Sequence, residues 1–481
     1  MVCCASSASC SPASCWAAAA RSSIWDSAIS RCARSARSCT KVGDRRCGAG
    51  SFAKLGRCLL PGFGLRGQSP RSNVVRVDWS WRKDRLADSR SSRQFRLLAA
   101  VIIAIVATVV DGASVVQAET GVSDGEILIG GSGALSGPLG VVGEDVRHGV
   151  ELYVKALNDA GGIHGRKVRT IYYDDHGRPD RAVANTQKLV EQDGVFAIVA
   201  SQGTVPVVAT LDYLERSRIP LLFPQQGSPV VRGRRFVFSG MALFDRQARL
   251  IVDYLVGQRH VKTVAALYQD DPYGKSFRTF FENDLHRHGL RLVAAEAVKP
   301  VTTDVYAQVT ALRAANPEVT LLAVTPGAGT QALKDRLKIG WTGSLMVVVG
   351  PFADERYVSV AGTAADGVEG LVLWPDPLAS DLPGVKRYRE HLAKYFPRNE
   401  PTRASLSGYV AAMLFAEAAT RAGRSLTRDG LITALESLKQ WDGGVLPPIS
   451  IGPDHETQKH GLWVRLENAR FKVLTDWLRA P

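Results

Sequence analysis

The chain has 481 residues, enough for two or three domains, and a formal net charge of +14. That charge is unevenly placed: residues 1–118 hold 18 Lys and Arg against six Asp, which leaves 42 basic and 40 acidic residues for the rest. A body so nearly neutral gives a basic-patch reading little to stand on, which argues against a nucleic-acid binder.

All eight cysteines (Cys3, Cys4, Cys10, Cys15, Cys32, Cys39, Cys47 and Cys58) lie in the first 58 residues. Their spacing fits no zinc pattern with partner histidines, and the surrounding Ser, Ala and Arg lack the apolar periodicity of a folded module. Residues 1–92 read as disordered, or as the product of an overlong start. Residues 93–118 then have the parts of a secretory signal. Arg93 and Arg96 form the charged region, Leu97–Val110 the apolar core, and Val116-Gln117-Ala118 a small-residue cleavage site. The core is short for a membrane span of ~20 residues. No methionine lies between Met1 and Met241; a start at a non-methionine codon, for instance at Val77 or Leu86, would put the signal at the N-terminus. The expected mature chain begins at Glu119, in the periplasm, and carries no cysteine for a lipid anchor or a disulfide.

From Glu126 onward strand-like and helix-like segments alternate. "EILIGG" (126–131) is a strand. A helix over 143–158 follows, with Val146, Val150, Val154 and Leu157 on one face. Gly161 or Gly162 supplies its left-handed exit, and 168–173 is a strand rich in β-branched and aromatic residues. Asp174 and Asp175 stand at its carboxyl end and are expected to cap the loop there. Next come a helix at 181–192, a buried strand "VFAIVA" (195–200), a helix after Thr204, and strands "IPLLFP" (219–224) and "FVFSG" (236–240).

The pattern then restarts. Helices are expected at 244–258, 274–288 and 306–315, with another between 324 and 344. Strands are expected at 263–270, 291–299, 319–324, 344–350 and 368–374. Three helices (384–396, 403–422, 427–439) and a hairpin turning at Glu467-Asn468 complete the chain. Two successive βαβ series imply an α/β protein with two doubly wound parallel sheets.

The residues also carry a family resemblance. Leu135-Ser136-Gly137-Pro138, Gly143, Asn158 with Ala160-Gly161-Gly162-Ile163, Gly165-Arg166-Lys167 and Tyr173-Asp174-Asp175 occur in order after the first strand. "DDPYGK" (270–275), "GPFADE" (350–355) and "IGPDHETQKHG" (451–461) follow. From about residue 124 to the end the chain resembles the type I periplasmic binding proteins of branched-chain amino acid ABC transporters. The resemblance implies two lobes joined by three crossovers, 122–241 plus 375–446 and 242–374 plus 447–481, that close on a small ligand. It also implies a permease partner in the inner membrane, a monomeric state and no enzymatic activity.

Carried onto this sequence, the resemblance marks Ser136 and Val142 after the first strand. It also marks Thr204 as the cap of a helix whose N–H groups receive a carboxylate, and Gln225, Gln226 and Gly227 in the second contact loop. Tyr273 is the cleft tyrosine. Phe352 occupies the position where many relatives have an acid to pair the ligand ammonium. An unpaired ammonium is costly to bury, so an amine-free carboxylate and an amino acid both stay open, with Asp271 or another acid as a substitute partner.

Rival readings are weaker. Gly131-x-Gly133-x-x-x-Gly137 is one residue off the dinucleotide fingerprint, and the acids at 174–175 come about 40 residues on instead of ~20. No Gly-x-Ser-x-Gly stands at a strand-to-helix turn. His286 and His288, two apart on a helix, face different ways, and no metal or cofactor is implied. A ligand-sensing receptor of the same fold is the alternative function.

Overall fold

The computed structural model describes residues 119–481; the expected extension and signal segment lie outside them. β1 (Glu126–Gly133) is followed by α1 (Gly140–Asp159), β2 (Lys167–Asp174), α2 (Pro179–Glu191), β3 (Ala197–Val199), α3 (Thr204–Arg216), β4 (Leu221–Leu222) and β5 (Val237–Phe238). These five strands form one parallel sheet in the order β2-β1-β3-β4-β5. In register, Ile129 of β1 lies opposite Thr170 on one side and Ala197 on the other. Ile127 and Ile129 are wholly buried, as strands covered on both faces by helices require.

The second series is α4 (Phe244–Val252), β6 (Val264–Gln269), α5 (Pro272–Arg287), β7 (Leu292–Val298), α6 (Tyr306–Ala314), β8 (Val319–Ala323), α7 (Pro326–Lys338), β9 (Leu345–Val348), a short α8 (Glu355–Val358) and β10 (Glu369–Val372). Its parallel strands run β7-β6-β8-β9-β10, repeating the order of the first sheet. β11 (His460–Glu467) adds antiparallel to β10, β12 (Arg470–Val473) pairs with β11, and β13 (Leu478–Arg479) also joins β11. In each sheet the order reverses beside the first strand of the series. Ligand crevices of open α/β sheets form outside the carboxyl ends of the strands at such a point.

Three helices, α9 (Pro383–Tyr395), α10 (Arg403–Ala422) and α11 (Arg428–Glu436), return to the first sheet. α10 lies along α1 so closely that a Cβ on Gly149 would come 1.8 Å from the Ser405 carbonyl oxygen, and one on Gly408 2.0 Å from that of Val146. The absence of side chains at both positions lets the two backbones touch.

The chain passes between the sheets three times, and the passages are stitched together. On the third, Thr457 Oγ1 donates to the Ser239 carbonyl (2.6 Å) and Gln458 Nε2 to that of Leu373. The buried carboxylate of Glu456 accepts from Arg232 (2.6 Å) and Arg246 (3.1 Å). His455 stacks on Phe238 with ring centroids 4.0 Å apart.

Several expected boundaries shift. α1 begins at Gly140 because the 3-10 turn Gly137–Leu139 runs directly into it. The strands expected at 195–200 and 219–224 shorten to Ala197–Val199 and Leu221–Leu222. Both stop at a residue with left-handed backbone, Ala200 (φ 55) and Phe223 (φ 54). The expected helix 244–258 becomes π-helical over Asp253–Gln258. The hairpin tip is Asn468-Ala469, with φ of 52 and 58, a pair of left-handed residues that matches the strand twist.

Candidate functional site

The loops at the carboxyl ends of β1, β3 and β4 are tied into one surface. Ser132 N donates to Ser201 Oγ (3.1 Å) and Gln202 N to the Ser132 carbonyl (3.0 Å). Gly203 N donates to the Gln225 carbonyl (3.1 Å), and Gln225 N to that of Ser201 (2.8 Å). Left-handed non-glycine residues at Ala200 and Phe223 cost about 1–2 kcal/mol each. Both are held in place, Ala200 N by the Leu222 carbonyl and Phe223 N by that of Phe238, at 2.9 Å each. Gln202 Oε1 is buried without a hydrogen-bond partner. It lies against the first turn of α1, where a Cβ on Gly143 would be 2.8 Å away.

A column of aromatic contacts leads from this surface to the second sheet. Gly227 abuts the Phe244 ring, which a Cβ there would meet at 2.3 Å. Phe244 in turn packs edge-on against Tyr273, with centroids 5.6 Å apart. Tyr273 Oη, buried and without a hydrogen-bond partner, points at Gly350 beyond β9, where a Cβ would sit 2.4 Å from it. Burial, and then the Asp271 carboxylate, push the Tyr273 phenol well above its ordinary pKa, so it is a neutral donor. Nearby, Gln269 Oε1 is a second buried acceptor with no partner. The seam is therefore apolar through Phe244 and Tyr273, with isolated polar atoms of both kinds, the usual make-up of a small-molecule site.

A charged cluster closes the seam on another side. Arg356, on α8, reaches Asp145 of α1 at 2.9 Å and also holds Asp354 at 2.8 Å. Thr402 Oγ1 donates to Asp145 Oδ2 (3.1 Å). Arg403 pairs with Glu355 and donates to the Trp374 carbonyl (3.3 Å). Burial raises the Asp145 pKa above its usual 3.8, outweighing the Arg356 charge and the hydrogen bonds from Arg356 and Thr402.

The expected site residues fare unequally in this geometry. Thr204 is not the N-cap; Gly203 is, at φ 94, and Thr204 opens α3 as a buried first residue. The first turn still offers the N–H groups of Thr204 and Val205, Pro206 having none. Gln225 is half-buried with Nε2 on the Phe223 carbonyl (3.2 Å). Gln226 turns away: its Oε1 accepts from Ser228 N (2.7 Å), and its Nε2 donates to the Ser228 carbonyl (3.4 Å). Ser136 is exposed and bound to Asp174 Oδ2 (2.6 Å) and His176 Nδ1 (2.5 Å). Val142 lies within α1 rather than on a loop and is half-exposed. Phe352 is wholly buried in the core beneath the second sheet, its ring against Gly329, because the 3-10 turn Gly350–Phe352 rotates the side chain inward. Asp271 is committed as the cap of α5, accepting from Gly274 N (3.1 Å).

The model of the family described as "Periplasmic binding protein" matches residues 126–470. The chain belongs to the type I periplasmic binding proteins of the branched-chain amino acid family. It is 29% identical over 244 residues to the "Leu/Ile/Val-binding protein homolog 3" of Brucella melitensis biotype 1, a match covering 50% of this chain and 66% of that protein, just under two thirds of its length. In fold it is similar to a branched-chain amino acid ABC transporter protein of Thermus thermophilus solved with bound valine (TM-score 0.69, 18% identity, 75% of this chain and 98% of that one). It is also similar to a solute-binding protein of R. palustris solved with benzoate (TM-score 0.65, 17% identity, 73% and 96%). The family consists of solute-binding proteins. No helix among the described residues is long and apolar enough to cross a membrane.

Sequence reasoning passed over Gln202, Phe244, Gln269, Asp145, Arg356 and Arg403 in this binding protein. Gln202 stands two residues before Thr204 and was within reach. Asp145 follows Val142 by three positions, one helical turn on the same face. Arg356 and Arg403 had no local signal. A cavity of about 270 Å³ opens between α4 and α5. There Arg249 and Arg287 both pair with Asp284, and none of the loops above contributes to it.

Proposed function

We propose that the chain is the extracytoplasmic solute-binding component of an ABC importer, capturing a small carboxylate or amino-acid-like ligand between two lobes and presenting it to a permease in the inner membrane. The lobes are 122–241 plus 375–446 and 242–374 plus 447–481. This division is supported by the two separate sheets, by the packing of α9, α10 and α11 against the first, and by the three passages between them.

The observation that carries the reading is Tyr273 Oη, a phenol buried at the seam between the sheets with no partner in the chain. A buried hydroxyl left unpaired costs about 1–3 kcal/mol; a polar ligand atom there removes that cost. The amide donors at the start of α3 favour a carboxylate, and the Phe244–Tyr273 column favours an apolar body. Closure of the lobes about their passages would bury the ligand.

A thermal-shift screen of the full chain against amino acids, aromatic acids, dicarboxylates and small amides tests the reading. A ligand of the folded state stabilises it by about 2.7 kcal/mol at a hundred times its dissociation constant. A carboxylate hit that Tyr273→Phe weakens is expected; silence over the whole panel would remove the proposal.

A further inference from the structure

The cavity between α4 and α5 lies apart from the seam and has a chemistry of its own. On α4, Asp245, Arg246 and Arg249 share one side of the helix, while Gln247, Ala248 and Ile251 are buried on the other. On α5, Phe280, Asn283, Asp284 and Arg287 recur at i, i+3, i+4 and i+7, beside the buried Phe277, Phe281 and Leu285. The two helices thus turn a mixed, largely charged stripe of each towards the same space.

The charges around that space do not cancel. Asp284 has only 8% of its side chain accessible, and its Oδ1 accepts from both Arg249 Nε (2.6 Å) and Arg287 Nη1. Two guanidiniums therefore share one carboxylate. The neighbouring acids do not supply the missing charge. Asp245 is held through both oxygens by Arg232 (2.8 and 3.0 Å). Glu456 is held by Arg232 and Arg246, and Arg246 spends its last nitrogen on the Pro481 carbonyl (2.5 Å). Arg232 and Arg246 are thus balanced by Asp245 and Glu456, and the surplus stays with Arg249 and Arg287. Asp253 is 45% exposed, lies 3.8 Å from Arg287 and is shared with His288 (3.2 Å), so it offsets that surplus only weakly.

The surplus is presented in a form that a ligand can use. Arg249 commits only Nε; Nη1 and Nη2 make no hydrogen bond among the described residues, although the side chain is only 28% accessible. That edge of a guanidinium offers two parallel N–H donors, which match two oxygens of a carboxylate or phosphoryl group. The Asn283 amide is likewise unengaged among the described residues, and the partly buried Phe280 adds an apolar wall. At about 270 Å³ the space holds more than a lone water, whose share of liquid volume is about 30 Å³.

We propose that this cavity is a second ligand site, which binds a small oxyanion, carboxylate or phosphoryl, on the Nη edge of Arg249. Arg287 supplies the second positive charge, Asn283 a neutral donor, and Asp284 holds the two guanidiniums in place. The site shares no residue with the loops at the seam and does not depend on the capture reading.

The test is isothermal titration of the full chain at low ionic strength with inorganic phosphate, succinate and citrate. Saturable binding of at least one probe is expected, weakened about tenfold or more by Arg249→Gln and changed less than about twofold by Tyr273→Phe. Arg287→Gln, which leaves Asp284 its bond from Arg249, is the second variant and is also expected to weaken binding. Far-ultraviolet circular dichroism confirms that each variant folds. Phosphate as the sole binder assigns the site to an inorganic or phosphoryl oxyanion, and succinate or citrate assigns it to an organic acid; either upholds the proposal. Binding that survives both arginine variants, or that is lost in Tyr273→Phe instead, lies elsewhere and overturns it. So does the absence of saturable binding by all three probes.

Discussion

The ion pair between Arg356 and Asp145 joins the two halves of the molecule, yet its two partners are expected to respond unequally to removal. Breaking a fully buried pair from one side costs about 3–5 kcal/mol, and an exposed pair about 0–1 kcal/mol. Arg356 is 31% exposed and Asp145 19%, which puts Arg356→Met between these limits, at about 2 kcal/mol of lost stability. That change leaves two partly buried carboxylates facing each other. Asp145→Asn leaves Arg356 matched by Asp354, keeps a side-chain oxygen for Thr402, and removes the surplus charge, so it is expected within about 0.5 kcal/mol of the parent at pH 7. The pH dependence follows from the sign of the shift. Burial raises the Asp145 carboxyl above 3.8 in the folded protein, so folding takes up a proton there. Its favourable contribution is complete below 3.8 and is lost as pH rises through the folded value. Relative to the parent, Asp145→Asn should therefore gain as pH rises from 4 to 7. Urea unfolding of the full chain and both variants at the two pH values measures each quantity. Equal losses at pH 7, or a variant that loses ground between pH 4 and 7, would refute the reasoning.

Gly149→Ala is expected to destabilise by about 1–3 kcal/mol, since its Cβ falls 1.8 Å from a backbone oxygen of α10. The same substitution at Gly257, with nothing within 4 Å and an ordinary φ, should stabilise by about 0.5–1 kcal/mol. Urea midpoints of the pair, moving in opposite directions, check both. Phe352→Glu should cost several kcal/mol or prevent folding, because it places a carboxylate in an apolar core instead of in the cleft; recovery of a folded variant with strengthened amino-acid binding would contradict the inward orientation. Tyr273→Phe should leave the unliganded protein unchanged or up to about 1 kcal/mol more stable, while weakening ligand capture about tenfold. Melting curves with and without ligand separate the two effects.

The fold was legible wherever a segment was long and its burial one-sided or complete. α1 shows its buried face as valines at helical spacing, and β6 and β8 as short apolar runs, so the two βαβ series and their repeat could be read in order. The strand ends were not legible. Ala200 and Phe223 adopt a backbone conformation that sequence patterns reserve for glycine, and only the ladder bonds around them make it affordable. The same limit displaced the α3 cap by one residue: Thr204 has the better capping side chain, but Gly203 alone takes the φ of 94 that the turn requires.

The site divides along a similar line, between what one segment decides and what several segments decide together. Tyr273 could be placed because a single strand-to-helix unit fixes it, and Asp174 could be read as a loop cap because its partners, Leu135, Ser136 and His176, lie on two neighbouring strand-end loops. Phe352 could not, because the direction of its side chain depends on whether Gly329 leaves room beneath it. The cluster that gives the seam its charge is the extreme case. Asp145 meets Thr402 across 257 positions and Arg403 meets Glu355 across 48. No periodicity links such residues, and the sequence alone presents them as ordinary charges on helix surfaces.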